Sequence, residues 1–418
     1  MQATPPKRWP QLLTGALVFI LVGVIYAWSL FAAIFKTSFP AWSNKDLATT
    51  FTLIMGFFCL GNFAAGFLAR RFSPRQIFLL SALLNAAGFF GVSLIQVDTL
   101  WLLYLSYGVV GSFGVGLAYN QVLSTVTRWF PEKVGLISGT LMMSWACSTL
   151  ILGLGADALC HVISWRIVFL GLGLVSSAAL VVAALVLKAP GPEVQLPRKP
   201  AGPDGAPATL ELTPLEMIRT SAFWLFFIWG VLLLIAVYGV MGNVKQCVLD
   251  VDSKAKTMAT ASVTLLAIAN GLGRFMFGSL YDRLGRIRTM TAGTLLLMLS
   301  SGFMIAAFKT RSIPVMLGGV VLTGLAYGGV PPTSSAFVVD YFGARDYSMK
   351  FGLVNLFIFI GAFGSALAGL VKDTAGSFEN LFYVLILLCA VALLLNLGIR
   401  KPRLKVAPGD PEGLSQAQ

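Results

Sequence analysis

Apolar and polar residues follow one another along this chain in long blocks, and the blocks predict its architecture. Runs of about 20 apolar residues, enough for a helix to cross roughly 30 Å of hydrocarbon, occupy 12–35, 47–69, 77–96, 100–127, 134–156, 164–187, 222–244, 257–281, 289–308, 313–339, 351–371 and 378–399. Short polar turns separate them. The expectation is an all-α membrane protein with twelve transmembrane helices. One polar interval is longer: residues 188–221 are rich in Pro, Gly and charge (PGPEVQLPRKPAGPDGAP) and read as a flexible linker. The expected organisation is an N-terminal six-helix bundle in 1–187, the linker 188–221, a C-terminal six-helix bundle in 222–399 and a tail at 400–418.

Composition agrees, with 57% hydrophobic and 11% charged residues and a mean hydropathy of +0.83, far from a soluble chain. Charge then sets orientation. With the N-terminus in the cytoplasm, twenty Lys and Arg side chains fall on inward segments and nine on outward ones, so both termini are expected inside a cell or inner membrane. The net charge of +13 follows from that topology and from anionic lipid at the inner leaflet, and calls for no nucleic acid. The first apolar run starts after Lys7-Arg8-Trp9-Pro10 with no small-residue cleavage site, and reads as a retained helix.

The two halves repeat. Gly66–Arg75 (GFLARRFSPR) aligns with Gly278–Ile287 (GSLYDRLGRI) at an offset of 212. The same offset carries Tyr26 onto Tyr238, Asn62 onto Arg274 and Arg128 onto Asp340. One shift along the whole chain predicts two pseudo-symmetric six-helix bundles about an axis along the membrane normal, with a binding cavity between them at mid-depth.

Arg274 is the first candidate for that cavity. An arginine deep in a spanning helix costs about 2.5–3.5 kcal/mol on insertion scales, so it should face protein or water. Its permanent charge and planar fork of donors match a carboxylate. No Asp or Glu stands in the middle of an apolar run to pair with it; Asp157 and Asp250 lie near outer ends. Tyr26, Tyr119, Tyr238 and Tyr327 offer hydroxyls and ring walls, or serve as interfacial anchors. Asn62, Asn120, Asn270 and Asn355 either line the cavity or bond between helices. Gly108, Gly111, Gly114 and Gly116 read as helix-packing positions. Gly328-Gly329-Val330-Pro331-Pro332 predicts a break or kink in the tenth span.

Several motifs resemble the major facilitator superfamily. Its signature G-x-L-x-D-R-x-G-R stands here as Gly278-Ser-Leu280-Tyr-Asp282-Arg283-Leu-Gly285-Arg286. Within that superfamily the chain resembles the oxalate/formate antiporter and monocarboxylate transporter branch, at Tyr26–Phe31 (YAWSLF), at Arg128–Leu136 (RWFPEKVGL), at Glu216–Thr220 followed by Phe223-Trp224, and at Asn270 with Arg274. The resemblance implies the major facilitator fold, alternating access, and Arg274 as the anion ligand.

It also implies a gate formed by Asp282, Arg283, Gly285, Arg286, Arg128 and Asp340. Gly285 permits a turn at positive φ. Asp282 is expected to accept bonds from Arg286 or from the amides at a neighbouring helix N-terminus, in one state only. In the first half these positions are Arg70 and Ser73, so the second half is expected to dominate gating.

Charge counting narrows the cargo. One fixed cation suits one carboxylate, and the lysine that oxalate-handling relatives carry on the eleventh helix is missing from 351–371. A small monocarboxylate such as lactate, pyruvate or formate is expected, with an oxalate/formate-type exchanger as the alternative. The lysine and aspartate used by animal monocarboxylate transporters fall near Leu30 and at Asn270, so their proton relay does not carry over. Proton-linked transport is the first expectation, carried either by a peripheral acid (Asp157, Asp250 or Asp252) or by protonation of the carboxylate itself; exchange of one anion for another is the second. One histidine, His161, and five scattered cysteines offer no catalytic pair, metal site or cofactor site. A channel or receptor of the same topology is disfavoured by the gate motif. The expected partners are the bilayer, the carboxylate and protons, and the expected working unit is a monomer.

Overall fold

The computed structural model describes residues 8–191, 193–194, 196–197 and 211–402, with Tyr26, Ser29 and Asn44 described by backbone alone. The middle of the predicted linker, 198–210, and all but the first residues of the predicted tail lie outside the described residues.

Twelve spans follow the apolar runs. They are α1 (Trp9–Ser38), α2 (Asn44–Leu68), α3 (Pro74–Ser93), α4 (Leu100–Thr127), α5 (Val134–Cys160), α6 (Trp165–Val186) and α7 (Ser221–Met241). A helical run Lys256–Thr310 follows, divided at Gly285, where φ is 75° and ψ 180°. It supplies α8 (256–284) and α9 (286–310). The last three are α10 (Ile313–Phe342), α11 (Tyr347–Ala375) and α12 (Glu379–Gly398). Leucines such as Leu13, Leu83, Leu174 and Leu394 stay exposed on the outside, where hydrocarbon is their solvent. Caps fix several ends: Ser43 with Asp46, and Ser73 with Gln76 and Pro74 at the first helical position, form capping boxes.

The 212-residue repeat reappears as packing. A Cβ on Gly61 would stand 2.2 Å from the Phe113 carbonyl oxygen, and one on Gly116 2.2 Å from that of Phe58. Shifted by the offset, the pairs become Gly273 with Leu325 and Gly328 with Asn270, each at 2.3 Å. In both halves glycine lets the backbones of the second and fourth helices touch. The alignment of Asn62 on Arg274 is therefore a structural equivalence.

Two expectations are corrected. The break predicted at Gly328–Pro332 is absent, because α10 stays helical through Pro331 and Pro332. Ser334 Oγ donates to the Pro331 carbonyl, and Gly328 and Gly329 serve close approach to Asn270 and Phe277 of α8. Irregular backbone occurs in other spans: a 3₁₀ segment Gly23–Ala27 in α1, π-turns at Tyr104–Gly111 in α4 and Thr149–Gly153 in α5, and an interruption at Ala362–Phe363 in α11.

The second correction concerns the end of the predicted linker. A short helix, Pro214–Ile218, is capped by Thr213 and Glu216, and hydrogen bonds from Thr213 hold the Glu216 carboxyl below the usual glutamate range. Glu211 accepts from the Ala344 and Arg345 amides at 3.1 and 2.8 Å, and Leu212 N donates to the Phe342 carbonyl at 3.1 Å. Residues 211–220 are thus docked on the α10–α11 turn.

Candidate functional site

A cavity of about 410 Å³ lies between the halves, reached by α1, α2, α5, α7, α8, α10 and α11. Phe51, Met241, Val244 and Val263 at its mouth lie toward the span ends opposite the termini, and Arg274, Asn270, Tyr327 and Trp145 lie deeper. The irregular turns of α1, α5 and α11 run beside it: Trp28, Thr149 and Ala362 are lining residues. That is where a membrane helix tolerates unwound backbone.

Arg274 is 4% exposed. Its Nε donates to Asn270 Oδ1 at 3.3 Å, one turn back on the same helix, and NH1 donates to the Met142 carbonyl at 3.0 Å on α5 of the other half. Its guanidinium carbon stands 5.9 Å from the centre of the Tyr327 ring. Among the described residues it pairs with no acid and NH2 has no hydrogen-bond partner. The free edge of the fork therefore remains available to the cavity. Tyr238 and Tyr327 meet hydroxyl to hydroxyl at 3.1 Å, so the cavity receives their rings.

Of the predicted ligands, Arg274, Asn270, Tyr238 and Tyr327 line this space. Four others are not on its lining. Tyr119 is buried among aromatics, stacked 5.3 Å from Phe19 and packed on Trp145. Asn120 Nδ2 donates to the Asn62 side chain and backbone and to the Ser348 carbonyl, while Ser348 Oγ donates back to Asn120 Oδ1 at 2.5 Å. Asn62 and Asn120 thus bridge α2 and α4 to α11. Asn355 is buried with Nδ2 unpartnered among the described residues. For Tyr26 only the backbone, in the 3₁₀ segment of α1, is described.

Toward the termini the halves close. Asp282, at the end of α8, accepts from the Gly135 amide at 3.0 Å and the Leu136 amide at 2.7 Å, at the first turn of α5. A carboxylate on a helix N-terminus gains both charge-assisted bonds and the helix dipole. The backbones beneath are in contact: a Cβ on Gly278 would fall 2.2 Å from the Gly135 carbonyl oxygen, and one on Gly139 2.4 Å from that of Arg274. The first half makes the matching contact with inverted chemistry. Arg70, at the Asp282 position, pairs at 3.6 Å with Asp346, the residue before α11.

The other gate candidates serve within or beside this seam. Arg286 is buried and donates to the Asn396 backbone and side chain and to the Ile399 carbonyl, tying the Gly285 turn to the end of α12. Asp340 accepts from Tyr281 and Lys401. Arg283 and Arg128 are exposed at the ends of their helices. Gly278→Ala is expected to hold the seam open, since overpacking of about 1–3 kcal/mol acts on the closed state alone; uptake by the variant should fall roughly tenfold or more, with ligand binding retained.

The proton-carrier candidates stand at the periphery of the described structure. Asp250 accepts from Lys372 at 2.5 Å and from the Phe378 amide at 3.2 Å, and Asp252 caps Lys254 N at 2.9 Å. Asp157 is half-buried near the far end of α5. None lines the cavity. The predicted limit of the eleventh span also missed a lysine: α11 begins at Tyr347 and includes Lys350, buried, whose Nζ donates to the Phe342 and Gly343 carbonyls at 2.6 and 3.1 Å. It closes the end of α10 and lies off the cavity. Trp28, Met55, Trp145 and the Met142 carbonyl were not anticipated, because tryptophan and methionine inside an apolar run look like any other filler.

Two bundles around a mid-depth cavity, one cation at its floor and a glycine-lined seam beneath define a membrane transport protein. The model of the Major Facilitator Superfamily matches residues 9–249 and 248–416, and the chain belongs to that family. It is 27% identical to the MFS-type transporter YhjX of Escherichia coli (strain K12) over 85% of this chain and 86% of that protein. It is also 27% identical to the oxalate:formate antiporter of Oxalobacter formigenes over 87% and 85%, and 23% identical to monocarboxylate transporter 10 of Rattus norvegicus over 73% and 60%. The proton:xylose symporter XylE shares the fold with a TM-score of 0.75 at 13% identity, covering 94% of this chain and 96% of that one. FucP in its outward conformation does so with 0.64 at 16%, covering 94% and 99%.

Proposed function

We propose that the protein is a secondary transporter for an organic monocarboxylate of the lactate, pyruvate or formate type, working by alternating access as a monomer in the cell membrane. With both termini in the cytoplasm, as the Lys and Arg distribution predicts, the conformation described is the one open to the outside. The observation that carries the reading is the free edge of Arg274 at the floor of a cavity whose lining, among the described residues, holds no Asp, Glu, Lys or second Arg. One carboxylate neutralises that cation; a second would be buried unpaired. The relatives named for formate and for monocarboxylates lend support, while the oxalate in the name of the first belongs to the alternative reading, an oxalate/formate-type exchanger.

Arg274 also links site to seam. Its NH1 holds the α5 carbonyl of Met142 and its own carbonyl lies on Gly139, so an anion drawing the guanidinium upward weakens a contact between halves. Opening toward the termini then separates α5 from α8, with Asp282 leaving the α5 amides and Arg70 leaving Asp346.

For coupling, the proton in proton-linked uptake travels on the substrate carboxyl, a reading supported by a lining that among the described residues has no acid or histidine. Exchange of anions is the second reading, favoured by the same feature: an empty site leaves a permanent buried charge and slows the return. Uptake into proteoliposomes separates them. Proton linkage predicts accumulation driven by an inward proton gradient into empty vesicles; exchange predicts little uptake until the lumen is loaded with a carboxylate. Flux that is linear in concentration and indifferent to both would overturn the carrier reading.

A further inference from the structure

Resting on the reading that Arg274 holds a single carboxylate, and going beyond the short acids named above, we infer that the preferred substrate carries an apolar body of roughly isopentyl to benzyl size and no ammonium group. The cavity, at about 410 Å³, falls in the range of pockets that enclose drug-sized ligands, roughly 300–1,000 Å³. A formate or acetate ion held on Arg274 leaves most of it empty or wet.

The walls decide what fills the rest. Trp28, Met55, Trp145 and Ile358 line the cavity together with Arg274, as do the rings of Tyr238 and Tyr327, the latter 5.9 Å from the guanidinium carbon. Trp28 Nε1 donates to the Leu47 carbonyl at 3.2 Å, and the Tyr238 and Tyr327 hydroxyls share one bond; Asn270, Thr149 and Ser365 add the remaining polar side chains to the lining. What the rings offer a ligand is apolar face. A carboxylate on the free edge of Arg274 directs the remainder of its molecule into that slot.

Charge sets the other boundary. Among the described residues no carboxylate lines the cavity, so an α-ammonium group carried in beside Arg274 would be desolvated without a counter-charge and next to a like charge. A second carboxylate meets the same objection. The site therefore selects fatty, aryl or 2-oxo acids with one charge over amino acids and dicarboxylates.

The test is equilibrium binding to the purified full-length protein, wild type and Arg274→Gln, with formate, acetate, butanoate, 4-methylpentanoate and phenylacetate, and with phenylacetamide and phenylalanine as controls. Affinity is expected to rise about fourfold per added methylene to a maximum at 4-methylpentanoate or phenylacetate. Phenylacetamide and phenylalanine should bind roughly a hundredfold more weakly than phenylacetate. Ala267, on the lining one turn before Asn270, supplies the second arm: Ala267→Leu should lower the ratio of phenylacetate to acetate affinity about tenfold.

A series that is flat or strongest at formate, yet lost in Arg274→Gln, overturns the apolar-body inference and leaves the monocarboxylate reading standing. Phenylalanine binding as tightly as phenylacetate overturns the exclusion of ammonium. An unchanged ratio in Ala267→Leu removes the slot beside Arg274 as the seat of the apolar body. Acids of every length failing to bind, or binding equally to Arg274→Gln, overturns the monocarboxylate reading itself.

Discussion

Glutamine at position 274 is expected to abolish saturable carboxylate uptake while the protein still inserts at normal levels. Removing one partner of a buried, hydrogen-bonded charge pair costs about 2–5 kcal/mol, a factor of roughly thirty to several thousand in affinity. Glutamine keeps a single amide donor where the guanidinium offers a free edge together with its bonds to Asn270 and the Met142 carbonyl. Insertion should not suffer, because the change removes the side chain whose burial in the bilayer is most expensive. Arg274→Lys is expected to be nearly as damaging. A single ammonium cannot at once hold the α5 carbonyl and present a planar edge to the anion. Uptake and equilibrium binding measured on the same preparations check this; an Arg274→Gln protein that transports at half the wild-type rate would remove the site.

The spans were legible because lipid leaves a chain few choices: every backbone group must be paired within a helix, so length and apolarity suffice. Gly285 was legible for a similar reason, since the signature needs a residue at positive φ there and the structure has one. The fate of polar side chains within the spans was not. Asn62 and Asn270 look alike in sequence, yet Asn270 faces the cavity and Asn62 accepts from Asn120, which itself donates to Ser348 across the seam. What separates them is helix rotation, fixed by contacts such as Gly61 on Phe113 and Gly273 on Leu325, more than fifty residues apart in the chain. Pro331 and Pro332 misled as to a break because proline's cost is local, whereas the packing of Gly328 on α8, where α10 stays helical, is not. Lys350 was lost to a boundary drawn by hydropathy alone. The inverted first-half contact, Arg70 on Asp346, was half visible: the missing acid at position 70 could be read, but not the acid that had moved to the facing helix.

That inversion makes the two ends of the seam unequal, and Asp282→Asn is the prediction that exposes it. Both carboxylate oxygens of Asp282 accept backbone amides of α5. Asparagine has one acceptor, and its NH2 faces an amide donor, so one bond is lost and one repulsion gained. Hydrogen bonds to charged groups contribute about 1.5–3 kcal/mol, and each 1.4 kcal/mol moves a two-state equilibrium tenfold. The balance should shift roughly ten- to a hundredfold away from the form closed on the termini side. Turnover then falls because the return to that form becomes rare, whereas carboxylate affinity, set two turns away at Arg274, changes little. Arg70→Ala offers the comparison. Its pair with Asp346 is half-exposed and worth about 0–1 kcal/mol, so turnover should drop less than about fivefold. Rates from proteoliposome uptake set against dissociation constants in detergent distinguish the cases. If Asp282→Asn turns over like the wild type, its carboxylate fixes topology and takes no part in the gate. If Arg70→Ala proves the slower of the two, the first half controls closure, and the strength of each contact must lie in the glycine seams beneath the charges.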